Sequence, residues 1–368
     1  MFGNRWVVLR EGQQRRWGGD LRRAYLLDGL ADRTGAALVD NWRIGPLTNA
    51  LRKHRGHRWE LWRSRAHVAS PELLRPASLE AIGRFGRAAV VDIHDHPLAQ
   101  LRAFGIPPSP EREVELRGLL DANLAAFRWY IVQSGSFVKL AGLDPARTIV
   151  APNGTDTAHV TRHPLPLAPV VGFVSGAAAG RGIETLIEAV RLARTEISGL
   201  TLRLWLVATG DESREYLERL TAASAAEPWI AIGEAPYAAL DAALATASIL
   251  AVPHPANDYM DTVLPIKLFD SMAAGRPLVV TPRVEMAEVV QRHQAGLVAR
   301  GDKPADLAEA ISRLAGDQGL AERLGANARV AAEREFDWRI IGARLADALL
   351  ARTSPWWTPA RRRRRVLG

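Results

Sequence analysis

The chain predicts an α/β protein made of two doubly wound, parallel-sheet units that leave a cleft between their strand ends. Three observations carry this prediction. At 368 residues the sequence exceeds one typical domain. Short apolar runs alternate with helix-period segments along its length, the pattern of parallel strands joined by helical crossovers. The alternation also restarts after an aperiodic stretch, residues 157–168, whose His163-Pro-Leu-Pro-Leu-Ala168 reads as a linker.

In the first half, Trp6 to Leu9 reads as a strand, followed by a polar loop, Gly18-Gly19-Asp20, and a helix from Leu21 to about Arg33. Glycines at a helix N-terminus allow close approach of a ligand to the backbone, and Arg15, Arg16, Arg22 and Arg23 surround the spot with charge. A plain tight connection fits equally. Ala36 to Val39 is the second strand, and Arg87 to Ile93 is a buried one that ends in His94-Asp95-His96-Pro97. Ligands of open α/β sheets sit beyond the carboxyl ends of the strands, where this cluster falls. Metal binding, a substrate-contacting histidine and a structural turn are all open readings there. Alternation along extended chain puts His94 and His96 on one side and Asp95 on the other. A helix from Glu113 to Phe127, strands Trp129 to Ser134 and Thr148 to Ala151, and the turn Pro152-Asn153-Gly154 complete this half.

The second half opens with a strand, Pro169 to Val174, a glycine-rich loop, Ser175 to Gly182, and a helix from Ile183 to Arg194. Arg181 sits where backbone N–H groups at the helix start would hold an anion. Strands follow at Leu202 to Val207, Ile230 to Ile232, Ser248 to Val252, Leu278 to Val280 and Leu297 to Val298. Between the last three lies Pro265-Ile-Lys-Leu-Phe-Asp-Ser-Met-Ala-Ala-Gly-Arg-Pro277. Pro265 suits a first helical turn and Gly275 a helix stop. Lys267 and Asp270 are three apart and share a face near the positive helix end. That arrangement suits an anion beside a hydroxyl donor, as in a nucleoside diphosphate, and equally an ordinary ion pair. Helices from Pro304 to Leu314, Gln318 to Glu333 and Trp338 to Leu350 end the ordered pattern.

Composition narrows the function classes. With no cysteine, disulfides, thiol catalysis and cysteine metal sites are excluded. No run of about 18 apolar residues is present and Met1-Phe-Gly-Asn-Arg5 lacks a signal-type stretch, so a cytoplasmic location is expected. The net charge of +8 is concentrated in the first half and the tail. Residues 52–65 interleave Arg and Lys with Trp59 and Trp62, and residues 352–368 join Trp356-Trp357 to Arg361 through Arg365. Both segments suit peripheral contact with anionic lipid at the inner face of a membrane, or an anionic acceptor; a solvated face in an Arg-biased chain fits as well. No nucleic-acid module is recognisable.

Taken together, the landmarks resemble the GT-B glycosyltransferases, specifically the group 1, or family 4, retaining enzymes. The resemblance rests on Gly18-Gly19 with Arg22 and Arg23, Val91-Asp-Ile-His-Asp95, Val132-Gln-Ser134 and Ala151-Pro-Asn-Gly-Thr-Asp156. In the second half it rests on Gly172-Phe-Val-Ser-Gly176 with Arg181-Gly182, Gly233, Pro265-Ile-Lys267, Phe269 to Pro277, Glu288 and Gly296.

It implies two Rossmann-like domains: residues 1–162 for the acceptor, 169–335 for the nucleotide-sugar donor, a returning helix at 336–351 and a basic flexible tail at 352–368. It further implies retaining transfer of a sugar from a nucleoside-diphosphate sugar to a polysaccharide, glycolipid or other envelope-glycan acceptor. No metal and no cofactor besides the donor substrate are implied. By that carry-over Arg181 and Lys267 hold the pyrophosphate and His94 meets the transferred sugar. Gly18, Gly19, Gly176, Gly233, Glu234, Leu264 and Asp270 would line the donor, with Asp270 accepting from the ribose, and Arg22, Asp95 and His96 would face the acceptor. Two positions depart from the family pattern: Thr262 stands for its first glutamate and Gly176 for an arginine beside the glycine loop. A non-catalytic scaffold of the same fold and a sugar-nucleotide epimerase are the competing readings.

Overall fold

The structure, a computed structural model, describes residues 6–9, 21–22, 25–26, 29, 33, 37–39, 66–69, 73–74, 89–125 and 127–353. Gly18, Gly19, Trp59 and Trp62, with the rest of 52–65 and of the tail after Thr353, lie outside the described residues.

The first sheet contains β1 (Trp6–Leu9), β2 (Ala37–Val39), β3 (Ala66–Ala69), β4 (Ala89–Ile93), β5 (Trp129–Val132) and β6 (Thr148–Val150) in the order β2-β1-β3-β4-β5-β6. Every pairing among them is parallel, with Val8 opposite both Leu38 and Val68. Strand β3 was not expected from the sequence; it has four residues and its His67 interrupts the apolar pattern. Helices α1 (Pro97–Ala103), α2 (Pro110–Ala125) and α3 (Gly135–Leu140) connect the later strands. The sequence placed the strand now called β5 through Ser134, but Ser134 instead caps α3 by accepting from the Phe137 amide.

The second sheet is built from β7 (Val170–Gly176), β8 (Thr201–Val207), β9 (Ile230–Gly233), β10 (Ile249–Val252), β11 (Leu278–Val280) and β12 (Gly296–Val298). Its order is β12-β11-β10-β7-β8-β9, again parallel throughout. The intervening helices are α4 (Ile183–Ala193), α5 (Asp211–Ser224), α6 (Leu240–Ala245), α7 (Ile266–Ala273) and α8 (Val284–Arg292). In α4 the buried residues Ile183, Leu186, Ala189, Val190 and Ala193 repeat at helical spacing and close on Phe173, Leu202 and Leu204 of the sheet. Strand order reverses between β7 and β10. The loops leaving those two strands therefore border the crevice that such sheets use for ligands.

These two loops touch. Gly182 has a φ of 77°, and a Cβ there would lie 1.8 Å from the Pro253 carbonyl oxygen. Only glycine satisfies both demands.

After α9 (Pro304–Gly316) and α10 (Gln318–Ala331) the chain makes one π-helical turn, Ala332–Phe336, and enters α11 (Trp338–Thr353). Trp338, Ile341, Leu345 and Leu349 of α11 pack with Leu21, Leu26, Val90, Ile131 and Ile149 around the first sheet. The backbones cross at Gly29 and Gly342, where a Cβ on Gly29 would sit 3.2 Å from the Gly342 Cα. Arg352 and Thr353, assigned by sequence to a flexible tail, form the last turn of this helix; Arg352 donates to the Thr148 carbonyl and lies over the Trp129 ring.

Residues 157–168, read as a linker, are pinned at their start. Val160 is fully buried, and Asp337 Oδ2 accepts from the Thr157 hydroxyl at 2.5 Å and the Thr157 amide at 3.3 Å. Asp337 Oδ1 accepts from Arg339 Nε at 2.7 Å. Burial alone would raise the Asp337 carboxyl, but the hydrogen bonds from Arg339 and Thr157 outweigh it and hold it at about 2. A carboxyl depressed on folding stabilises above its unfolded value and loses that contribution as pH falls through the folded one. Asp337→Asn should therefore cost about 2 kcal/mol at neutral pH. In denaturant titrations the gap to the parent should narrow below pH 4 and close near pH 2; a gap constant across that range would contradict the assignment.

Candidate functional site

The segments that follow β4, β5 and β6 of the first sheet grip the loop that follows β10 of the second. Tyr259 donates its hydroxyl to Asp95 Oδ1 at 2.6 Å and accepts from Gln100 Nε2 at 3.0 Å. Ser134 Oγ donates to the Thr262 carbonyl at 2.8 Å, and Asn153 Nδ2 to the Leu264 carbonyl at 2.7 Å. The Leu264 amide donates to Gln133 Oε1, and the Ser136 amide to Glu285 Oε1 at 2.7 Å. Tyr259, Met260 and Val263 bury apolar surface against Ala99, Ala103, Phe104 and Leu140. Hydrogen bonds thus fix the register, while the apolar contact supplies most of the cohesion.

Against this seam lies a group of basic side chains. The Arg181 guanidinium carbon stands 4.5 Å from the centre of the Phe104 ring, and its buried Nε has no hydrogen-bond partner. Desolvation lowers Arg181 from its ordinary value, opposed by the nearby Tyr259 and Asp95. Lys267, in the first turn of α7, is also lowered by burial; Asp270 opposes that shift and the Arg181 charge adds to it. Burial likewise depresses His254 to about 3, and the positive fields of Arg181 and Arg283 push the same way. Each group responds to Arg181, so the loop after β7, the residues after β10 and the start of α7 bring their basic groups into one electrostatic neighbourhood. A partly buried positive cluster of this kind has the electrostatics that suit an anion.

Several expected site residues have other work. Arg22, expected on the acceptor side, is fully buried. Its Nη2 pairs with Asp92 Oδ1 at 2.8 Å, and its Nη1 donates to the Ala151 carbonyl at 2.8 Å and to Asn153 Oδ1 at 3.1 Å. It holds the ends of β4 and β6 together and presents nothing to a ligand. Asp95 is engaged by Tyr259, and His96 caps α1 by accepting from the Ala99 amide at 3.2 Å, with burial lowering its imidazole. The backbone groups of Leu264, expected to meet the donor, are taken by Asn153 and Gln133. Asp270, expected to meet a ribose, is 4 % exposed, and its Oδ1 accepts from Thr155 Oγ1 at 2.8 Å. Burial raises Asp270 to about 6 against the opposing pull of Lys267 and Thr155, which makes it the buried counter-charge of Lys267.

His94 is half-buried, with Nε2 3.4 Å from Asp95 Oδ2 and a buried Nδ1 that has no hydrogen-bond partner. Gly176 ends β7, and a Cβ there would meet only the Val207 carbonyl oxygen at 3.9 Å, so space does not demand glycine. Gly233 and Glu234 are exposed at the carboxyl end of β9, the edge strand of the second sheet. Among the described residues no group of three His, Asp or Glu is arranged to hold a metal ion, and no helix is long and apolar enough to cross a membrane. Sequence reasoning missed Tyr259, Phe104 and His254. Of these, His254 carried a signal, since it lies two residues beyond a strand's carboxyl end.

Because Arg22 and Asp92 are a fully desolvated pair, Arg22→Ala leaves a bare buried carboxylate. The expected loss is about 3 to 5 kcal/mol of unfolding free energy. Denaturant titration checks it, and a loss below about 1 kcal/mol, the range of an exposed pair, would contradict the structural assignment.

Residues 168–317 match the family described as Glycosyl transferases group 1. D-inositol 3-phosphate glycosyltransferase of Actinosynnema mirum is 25 % identical over 278 residues, 70 % of this chain and 64 % of that protein. GDP-mannose-dependent alpha-(1-6)-phosphatidylinositol monomannoside mannosyltransferase of Mycobacterium tuberculosis is 28 % identical over 191 residues, 51 % of this chain and 49 % of that one. The chain thus spans between about half and two thirds of the length of these relatives. Among solved structures, sucrose-phosphate synthase of Thermosynechococcus elongatus superposes with a TM-score of 0.75 at 16 % identity, covering 96 % of this chain and 100 % of that one. Anabaena HepE in complex with UDP and glucose gives 0.69 at 17 % identity, covering 94 % and 99 %. The fold is GT-B, two doubly wound parallel sheets whose strand ends oppose one another.

Proposed function

We propose that this chain, whose residues 168–317 match the group 1 glycosyl transferases, transfers a sugar from a nucleoside-diphosphate sugar to a glycan or lipid-linked acceptor, with retention at the anomeric carbon. The observation that carries the reading is the convergence of Arg181 and Lys267, two partly desolvated cations, at the seam between the sheets. Cleavage of a glycosyl–phosphate bond leaves negative charge on the departing diphosphate. Fixed cations in a low-dielectric cleft favour that charge-separated state over the ground state. Arg181 packs over the Phe104 ring, and Lys267 stands in the attractive field of the buried Asp270 carboxyl. Neither has to reorganise when the bond breaks.

The remaining roles follow the strand ends. Gly233 and Glu234 are on the donor's base side, Gly176 lies beneath the diphosphate, and His94 meets the transferred sugar. No side chain serves as a nucleophile, and the acceptor hydroxyl attacks from the side the diphosphate leaves. That HepE was crystallised with UDP and glucose supports a nucleotide-sugar donor. The basic first half of the sequence suits an anionic or lipid-linked acceptor at a membrane surface.

Lys267→Ala and Arg181→Ala should each lower transfer, followed as release of the nucleoside diphosphate, by about 100-fold or more without loss of cooperative unfolding. Full turnover in either variant would refute the assigned roles. A protein that binds no nucleoside diphosphate in calorimetry would instead be a scaffold, and one that converts the nucleotide sugar to its epimer without any acceptor an epimerase. Retention itself is read from the anomeric configuration of the product by NMR.

A further inference from the structure

We infer that His254 binds the donor directly, its imidazole giving a hydrogen bond to a diphosphate oxygen beside Arg181 and Lys267. The inference rests on the nucleotide-sugar reading above and adds a contact that neither the sequence pattern nor the comparisons assign.

His254 follows β10 at the point where strand order in the second sheet reverses. Its residue is 2 % exposed, yet its Nδ1 has no hydrogen-bond partner. A histidine kept in a core for packing normally has that nitrogen satisfied, because a buried polar atom without a partner costs free energy. Here it is the backbone that is anchored, since Thr281 Oγ1 donates to the His254 carbonyl at 2.6 Å.

A second buried nitrogen without a partner, Arg181 Nε, belongs to the loop after β7. The two loops are in direct contact through Gly182 and Pro253, the residues next to Arg181 and His254. Two unsatisfied donors on touching loops, each held by neighbouring structure, describe a cradle for an acceptor that comes from outside the chain.

The charge around the ring says which acceptor. Arg283, one of the two cations that act on His254, has its charge balanced by Asp302, 2.8 Å from Nη2, and Asp261, 3.3 Å from Nη1, although its buried Nε also has no hydrogen-bond partner. For Arg181, the other, the carboxylate that acts on it is Asp95, whose Oδ1 is already engaged by the Tyr259 hydroxyl. The uncompensated positive charge is therefore on the Arg181 side. A metal ion would be repelled there, whereas a phosphate oxygen would be drawn in. A neutral imidazole in that field offers an N–H donor, which a phosphate accepts and a cation cannot.

The test is calorimetry on the full chain with UDP, GDP and ADP, the parent nucleosides, and inorganic pyrophosphate. His254→Phe keeps the ring and removes the donor; His254→Asn keeps an N–H near the Nδ1 position. We expect H254F to weaken the preferred nucleoside diphosphate and pyrophosphate about tenfold. H254N should stay within about threefold of the parent, and nucleoside binding should be unchanged in both. Parent-like diphosphate affinity in H254F overturns the inference and leaves the functional reading standing. Equal losses for nucleoside and diphosphate overturn it too, since they report a structural role. If the parent itself binds none of the diphosphates, the functional reading fails and this inference with it. Where H254F does not fold, as judged by its melting transition, His254→Leu carries the same comparison.

Discussion

The molecule is organised around a cost: basic groups held out of water with too little negative charge nearby. Arg181 is partly desolvated against Phe104, Lys267 is opposed by the buried Asp270, and burial with the fields of Arg181 and Arg283 lowers His254. In isolation such a cluster opposes folding, because desolvated charge is expensive and like charges repel. It persists because the surrounding packing is over-determined.

That cluster needs two sheets to exist. Arg181 and Lys267 come from segments around the second sheet, but the ring that Arg181 packs on is Phe104, the residue that ends α1 beside the first. The seam is held by Tyr259, Thr262 and Leu264 docking on Asp95, Gln100, Ser134, Gln133 and Asn153. Residues that look functional in sequence are therefore partly spent on holding the halves together. Asp95 and His96 stand beside the crevice, yet one anchors Tyr259 and the other starts a helix. Close to the site, a polar side chain has two possible employers, the ligand and the opposite domain.

The returning helix α11 closes the arrangement. It lies against the first sheet and begins at Asp337, which is tied to Thr157 at the start of the connection between the halves. The Gly29–Gly342 crossing brings two backbones into contact there. Connection and returning helix thus form one hydrogen-bonded joint, and the segment that appeared aperiodic in sequence is ordered by a partner 180 residues away.

The amino-acid sequence alone determined the alternation of strand and helix, the restart near Pro169 and the positions of Arg181 and Lys267, because these depend on short-range period and on glycine and proline chemistry. Strand β3 escaped since four residues with a histidine among them carry too little periodicity. The tertiary structure decided which polar groups are free. Arg22 and Asp92 are 70 residues apart and cancel one another, Asp270 turns to Thr155, and His254 is left without a partner. Hydrogen-bond satisfaction is a property of neighbours in space, and no reading along the chain can balance donors against acceptors that only folding brings together.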